Sequence, residues 1–264
     1  MLLWDPLLPL FTSQKQWEYD YLSRNADFLA MNHPDRTNHT TARSMSLLTG
    51  YRIMEADSGP STELEHWDEA LSAGHYSFCY TNDDNHDSKR SDRTGVRCSW
   101  QNAASGRYED IKECLLAGRY YSMRIPDFGN GDWNVKYEEN GKLPKIEDIG
   151  MRGDTIYMKL SEPASSIEVR GQDHRLCMKV DDSSSISYRM EDSDPYTRIT
   201  ARFGNGVVIY SNAFARYDAS VSDSPYRVSP HPVDIPLTIL FNLIVAALAA
   251  GCIYILTVMF SHRR

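Results

Sequence analysis

Cysteine is scarce in this chain: there are five in 264 residues, none of them in Cys-x-x-Cys or metal-finger spacing. That excludes a disulfide-dense scaffold and a zinc finger. Cys252 falls in an apolar run, so Cys79, Cys98, Cys114 and Cys177 remain to form two disulfides or to act as small buried thiols, with thiols preferred. Positive charge is short as well. With 28 Lys and Arg against 36 Asp and Glu the net charge is -8, and no nucleic-acid partner is expected. The first ten residues lack the basic flank of a secretory leader, and Asp5, Pro6 and Pro9 interrupt their apolar character. Charge is missing altogether from Leu237 to Phe260.

That last absence carries the first positive reading. An uncharged apolar run of this length crosses a hydrocarbon core of about 30 Å as a helix, so a lipid bilayer is an expected partner. Arg263 and Arg264 follow the run, whereas Asp234 lies just before it. The positive-inside tendency then puts the C-terminus in the cytoplasm and the bulk of the chain outside, as a single-pass protein. Without a readable leader, the span is expected either to insert late as a tail anchor or to close a longer protein of which this is the back part.

The first half reads as repeated helix and strand units. Ser13 and Gln16 form a capping-box pattern opening a helix to about Arg24, with Trp17, Tyr21 and Leu22 near one face. A short buried strand is expected at Phe28–Met31. A second unit runs from Thr40 to Leu48, turns near Gly50 and enters a strand at Tyr51–Glu55. A third helix starts at Thr62, stops at Gly74 and leads to the strand Tyr76–Thr81. This alternation implies an α/β sheet or barrel.

Reactive side chains fall at the ends of these strands. The first ends in Asn32-His33-Pro34-Asp35, the second in Glu55, and the third in Asn82-Asp83-Asp84-Asn85-His86-Asp87. In parallel α/β folds ligands bind at such ends. Imidazole with carboxylate suits zinc, manganese or iron, and a bound ion of that kind activates water for attack on a phosphoryl or carbonyl centre. Taken singly, the acidic run reads as a solvated loop, His33 as a turn residue and Glu55 as a surface strand end. Their shared position is what favours a site.

The succession of NHPDR, YRIMEADSG, EHWDEALSAGH, TNDDNHD and EDIKECLLAGRYY resembles the later part of the polymerase and histidinol phosphatase (PHP) family of metal-dependent phosphoesterases. It is most similar to members with an added β-domain and a membrane anchor. The resemblance implies a distorted TIM-like barrel with divalent ions held by histidines, aspartates and a glutamate. It implies metal ligation by Asp84 and His86, which match the family's late Asp-x-His pair, and by His33, which matches a His-Pro at a strand end. Glu55 stands where members often carry a glutamate and is taken as a catalytic residue. The family's opening His-x-His is absent from this sequence. The resemblance covers about Gln14 to Asp218, the back half of the barrel and the appended domain, and so implies an N-terminally truncated member.

Beyond the third unit, Tyr108–Ala117 reads as a short amphipathic helix. Pro126–Asn140 reads as a loop or linker between domains, with Trp133 a ligand platform or, in preference, a packing residue. From Asp154 the pattern alternates, as in Ile156, Met158 and Leu160, and Gly204-Asn205-Gly206 marks a hairpin. His174 with Asp173 reads as a surface turn, and the Ser- and Pro-rich segment after Tyr217 as a stalk. The expected fold is therefore α/β, a partial TIM-like barrel over 1–125, a linker over 126–153 and a small antiparallel β-sandwich over 154–218. A stalk over 219–236, a transmembrane helix over 237–260 and a cytoplasmic tail over 261–264 complete it. The expected function is hydrolysis of a phosphoester or related small molecule with a divalent metal. The alternative is a non-catalytic membrane-anchored surface or binding protein, a degenerate relative.

Overall fold

The computed structural model describes residues 8–34, 41–58, 61–62, 64–216 and 235–261. The expected stalk, the arginines of the tail and Asp35 lie largely or wholly outside them. A helix α1 (Leu8–Arg24) begins earlier than its capping pattern predicts, and Trp17, Tyr21 and Leu22 are exposed rather than packed in a core. Strand β1 (Ala30–Met31) follows, then a 3-10 turn over Ala42–Ser46, capped by Thr41, whose side chain accepts from Ser44 N. Next come β2 (Ile53–Ser58), β3 (Ser61–Thr62), helix α2 (Leu64–Ser72) and β4 (Phe78–Asn82).

Strands β1, β2 and β4 pair in parallel, with Met31 opposite Met54 and Glu55 opposite Tyr80. All six residues of β2 are buried, as in a strand covered on both faces. Trp67 and Leu71 of α2 pack onto this sheet with Met54 and Ala56. The small sheet holds four strands, counting the antiparallel β3. Among the described residues the expected TIM-like barrel is not present. Three parallel strands leave an open sheet, and the strands that follow pair elsewhere.

They pair into a second, antiparallel sheet of eight strands. Strands β5 (Arg97–Gln101) and β6 (Tyr120–Arg124), separated by helix α3 (Tyr108–Leu116), join β11 (Val208–Tyr210) through β6. The order continues through β10 (Tyr196–Arg202) to β8 (Thr155–Gly171), which also pairs with β7 (Ile146–Arg152) and β9 (Leu176–Arg189), while β12 (Phe214–Ala215) borders β10. The strand β8 is one continuous 17-residue element. The segment read as a linker contains β7 and a helix α4 (Trp133–Asn140), capped by Asp132 and docked by Lys136 Nζ, which donates to Ser91 O at 2.5 Å and Asp127 Oδ1 at 3.1 Å. Trp133 is exposed on α4 rather than packed. The expected sandwich over 154–218 is in fact the larger part of this single sheet, completed by β5, β6 and β7 from before it. The predicted hairpin is present: Phe203 N donates to Val207 O at 2.9 Å, and Gly206 takes a left-handed φ of 89°. All five cysteines are free, and burial pushes the Cys79 thiol up to about 12.

Two buried aspartates bind the small sheet's layer to the large sheet. Asp57 of β2 accepts from Arg97 Nε at 2.7 Å and Tyr210 OH at 2.7 Å and pairs with Arg124 at 2.6 Å. Asp68 of α2 accepts from Arg198 Nε at 2.6 Å and NH2 at 2.5 Å, and its Oδ2 lies 3.1 Å from His174 Nδ1. The turn read as plain surface is therefore anchored through His174, with Asp173 and His174 both at positive φ.

Burial pushes the Asp68 carboxyl up, but hydrogen bonds and charge from Arg198, with His174, bring it below its ordinary value. The hydrogen bond that His174 donates to Asp68 raises the imidazole above its ordinary 6.5. A raised histidine contributes stability that is complete below its unfolded value and disappears as pH rises through the folded one. Thermal midpoints are therefore expected to fall as pH rises above about 6.5, and His174→Gln is expected to flatten that part of the curve. An equal slope in the variant would show that His174 contributes nothing there.

Helix α5 (Ile235–Ser261) is the long apolar helix, and Pro236–Ser261 is the one candidate membrane span among the described residues. At 1.5 Å per residue it is about 40 Å long. Leu243, Leu248, Ile253, Tyr254 and Phe260 are exposed on it, an arrangement that lipid covers better than water does. Helix α1 packs against α5. One candidate span at this position fits a single-pass membrane protein.

Candidate functional site

The parallel register of β1, β2 and β4 brings their C-terminal ends to one edge, and the four residues singled out from the sequence meet there. Glu55, fully buried on β2, is the centre. His33 Nδ1 lies 2.5 Å from Glu55 Oε2, and the His33 backbone N donates to the same oxygen at 2.7 Å. On the other side of the ring, His33 Nε2 is 3.1 Å from Asp84 Oδ1. His86, 84% exposed, completes the cluster with Nε2 at 3.4 Å from that oxygen.

Sequence reasoning missed the residues that hold these four in place. Asn82 Nδ2 donates to Glu55 Oε1, and Asn82 Oδ1 accepts from Asp84 N at 2.7 Å. Ser58 Oγ is 3.3 Å from His33 Nδ1. Tyr80 OH donates to Asn32 Oδ1, tying the ends of β4 and β1. Asp83 turns away and accepts from the N–H groups of Gly95, Val96 and Arg97 at 2.6 to 2.9 Å, which anchors the loop carrying Asp84. The only signal for these roles was the density of Asn and Asp after β4, residues that bond their own backbone in turns.

The backbone is held in an uncommon state at both inner contacts. His33 has φ 47° and Asp84 has φ 46°. Each left-handed non-glycine residue costs on the order of 1 kcal/mol or more and persists where its surroundings fix it. Here the Glu55 and Asn82 contacts fix it.

No protein-family model matches the chain, and no curated protein does. Among solved structures it aligns with a two-domain protein containing a predicted PHP-like metal-dependent phosphoesterase from Bacteroides vulgatus. The alignment covers 74% of this chain and 64% of that one, at a TM-score of 0.32 and 13% identity. It thus spans just under two thirds of that protein's length.

In donor type the cluster suits zinc, manganese or iron. Neighbouring ligands on a tetrahedral ion with bonds of about 2.0–2.1 Å stand roughly 3.3 Å apart, and Asp84 Oδ1 lies 3.1 and 3.4 Å from the two Nε2 atoms. The set does not close: among the described residues, no group of three or more His, Cys, Asp or Glu side chains is arranged to hold a metal ion. At His33, Glu55 faces one ring nitrogen and Asp84 the other. An imidazole gives one nitrogen to one ion, so Glu55 does not share an ion with Nε2 of this ring. Its position is that of a carboxylate orienting a histidine through the opposite nitrogen.

Proposed function

We propose that the protein is a membrane-anchored hydrolase of PHP type acting on a phosphoester or related small molecule. In this reading His33, Asp84 and His86 would hold a divalent ion once drawn together around it, and Glu55 is a positioning residue for His33. The observation that carries this reading is the meeting of all four residues, from three successive strand ends, in one contact network with left-handed backbone at two of them. Glu55 holds Nδ1 and the backbone N–H of His33, which fixes the ring with Nε2 toward Asp84. Asn82 holds the other Glu55 oxygen and the Asp84 N–H, so the two strand ends keep one spacing. When bound, the ion supplies a water acidified toward neutral pH as nucleophile. In this proposal Arg263 and Arg264 keep the C-terminus cytoplasmic and the cluster outside, and the net charge of -8 disfavours nucleic acid as substrate.

A second reading rests on the same network. Both Glu55 oxygens and both His33 ring nitrogens already meet protein partners, so the cluster also works as a brace across three strand ends in a non-catalytic binding protein. Elemental analysis of the full chain in detergent, after exposure to zinc or manganese, separates the two. The hydrolase reading expects about one tightly held ion per chain, lost in Asp84→Ala and weakened roughly 10–100-fold in Glu55→Gln. Cleavage of p-nitrophenyl phosphate should follow the ion. A folded, metal-free wild type without cleavage would establish the brace instead.

A further inference from the structure

A cleft of about 650 Å³ opens at the opposite end of β4 from the cluster, where Phe78 begins the strand. Its size is that of a small-molecule site. Trp100 and Tyr121, cross-strand partners on β5 and β6, line it with ring planes 7° apart and centroids 6.5 Å apart. Trp100 remains 38% exposed. Around this aromatic pair stand the amides of Gln101 and Asn102 and the carboxylates of Glu147 and Asp148 from β7.

The floor is braced. Asn212 Nδ2 donates to Gly118 O at 2.8 Å and Tyr120 O at 3.0 Å, and its Oδ1 accepts from Cys79 N at 2.8 Å. Gly118, at φ 65°, lets the Phe78 ring close over it, since a Cβ there would stand 2.3 Å from a ring carbon. A floor fixed before binding reduces the ordering cost of taking a ligand.

The lining specifies the chemistry. Parallel aromatic faces accept the flat C–H face of a pyranose ring, and amides with carboxylates at the edge bond vicinal hydroxyls. Of the two rim carboxylates, Glu147 pairs with Lys159 at 2.7 Å and Asp148 lies 3.7 Å from Arg152, so among the described residues the rim holds no unpaired cation to favour a phosphate or other anion. Arg119 on the same rim, 3.0 Å from Glu113, opposes a cationic ligand. We infer that this cleft binds a neutral carbohydrate, in a site separate from the His33 cluster and independent of the hydrolase reading.

The test uses the full chain in a detergent without a sugar headgroup, titrated with maltotriose, cellotriose, xylotriose and chitotriose. Ligand-detected NMR and tryptophan fluorescence report binding. At least one trisaccharide is expected to bind, with Trp100→Ala and Gln101→Ala each weakening it about tenfold or more and Trp133→Ala, on the exposed helix α4, leaving it unchanged. The Gln101 substitution keeps the test valid if Trp100→Ala lowers stability, and thermal melts identify that case. No binding by the folded wild type up to about 10 mM, binding indifferent to both cleft substitutions, or preference for phosphorylcholine over all four sugars would each overturn the inference.

Discussion

Asp68→Ala is expected to destabilise the protein by about 3–5 kcal/mol, because it strands a buried guanidinium. Arg198 is 4% exposed, and both arms that reach Asp68 do so at 2.5 to 2.6 Å. Its other contacts, Thr200 Oγ1 at 3.1 Å and the Trp67 ring, are neutral. Removing the carboxylate forfeits the pair's attraction and leaves the desolvation cost of the cation in place. The same substitution releases His174 and with it the turn at Gln172–His174. Equilibrium denaturation of the detergent-solubilised chain measures the loss. Asp68→Ala with Arg198→Met should recover a large part of it, since an apolar pair avoids burying a lone charge. A single-variant effect below about 1 kcal/mol, the range of an exposed pair, would mean that water reaches Arg198.

Asp57→Ala is expected to be the next most damaging change, at about 2–4 kcal/mol. It removes three partners at once, Arg97, Arg124 and Tyr210, but those two arginines are 14% and 32% exposed and regain some water. The effect should reach further than its size suggests. Asp57 lies two residues from Glu55, across the irregularity in the β2–β4 register, so its loss should also loosen the His33 cluster. Hydrogen exchange would show this as faster exchange of the His33 and Asp84 N–H groups, both of which are bonded within the cluster. Unchanged protection at those two positions would confine Asp57 to joining the sheets.

Both aspartates show where sequence reasoning stops. The local pattern located α2, α3, β4, the hairpin at Gly206 and the long apolar helix, because each depends on neighbours in sequence: a period, a cap, a glycine stop. The partners of Asp57 and Asp68 lie up to 153 and 130 residues away, and no spacing rule reaches that far. The barrel expectation failed for the same reason. Alternating helix and strand units specify parallel pairing for β1, β2 and β4, but nothing in Arg97–Gln101 or Tyr120–Arg124 says that they pair with each other and, through β6, with Val208–Tyr210. The helix at Trp133–Asn140 hid among glycines and asparagines that read as a loop. At the candidate site His33, Glu55, Asp84 and His86 were legible because strand ends converge in any parallel sheet. Asn82, Ser58 and the left-handed turns were not, since their roles exist only once the strands have met.

The pairing of β6 with β11 has a consequence in time. Met123 waits for Ile209, so the large sheet has an open edge until nearly all of the chain before the apolar helix has been made. Contacts so distant in sequence slow folding, and an unpaired edge is exposed to other chains meanwhile. Closure of the sheet and emergence of α5 are therefore close together in the order of synthesis. Premature capture of the apolar helix by other nascent chains would trap β6 with its edge still open.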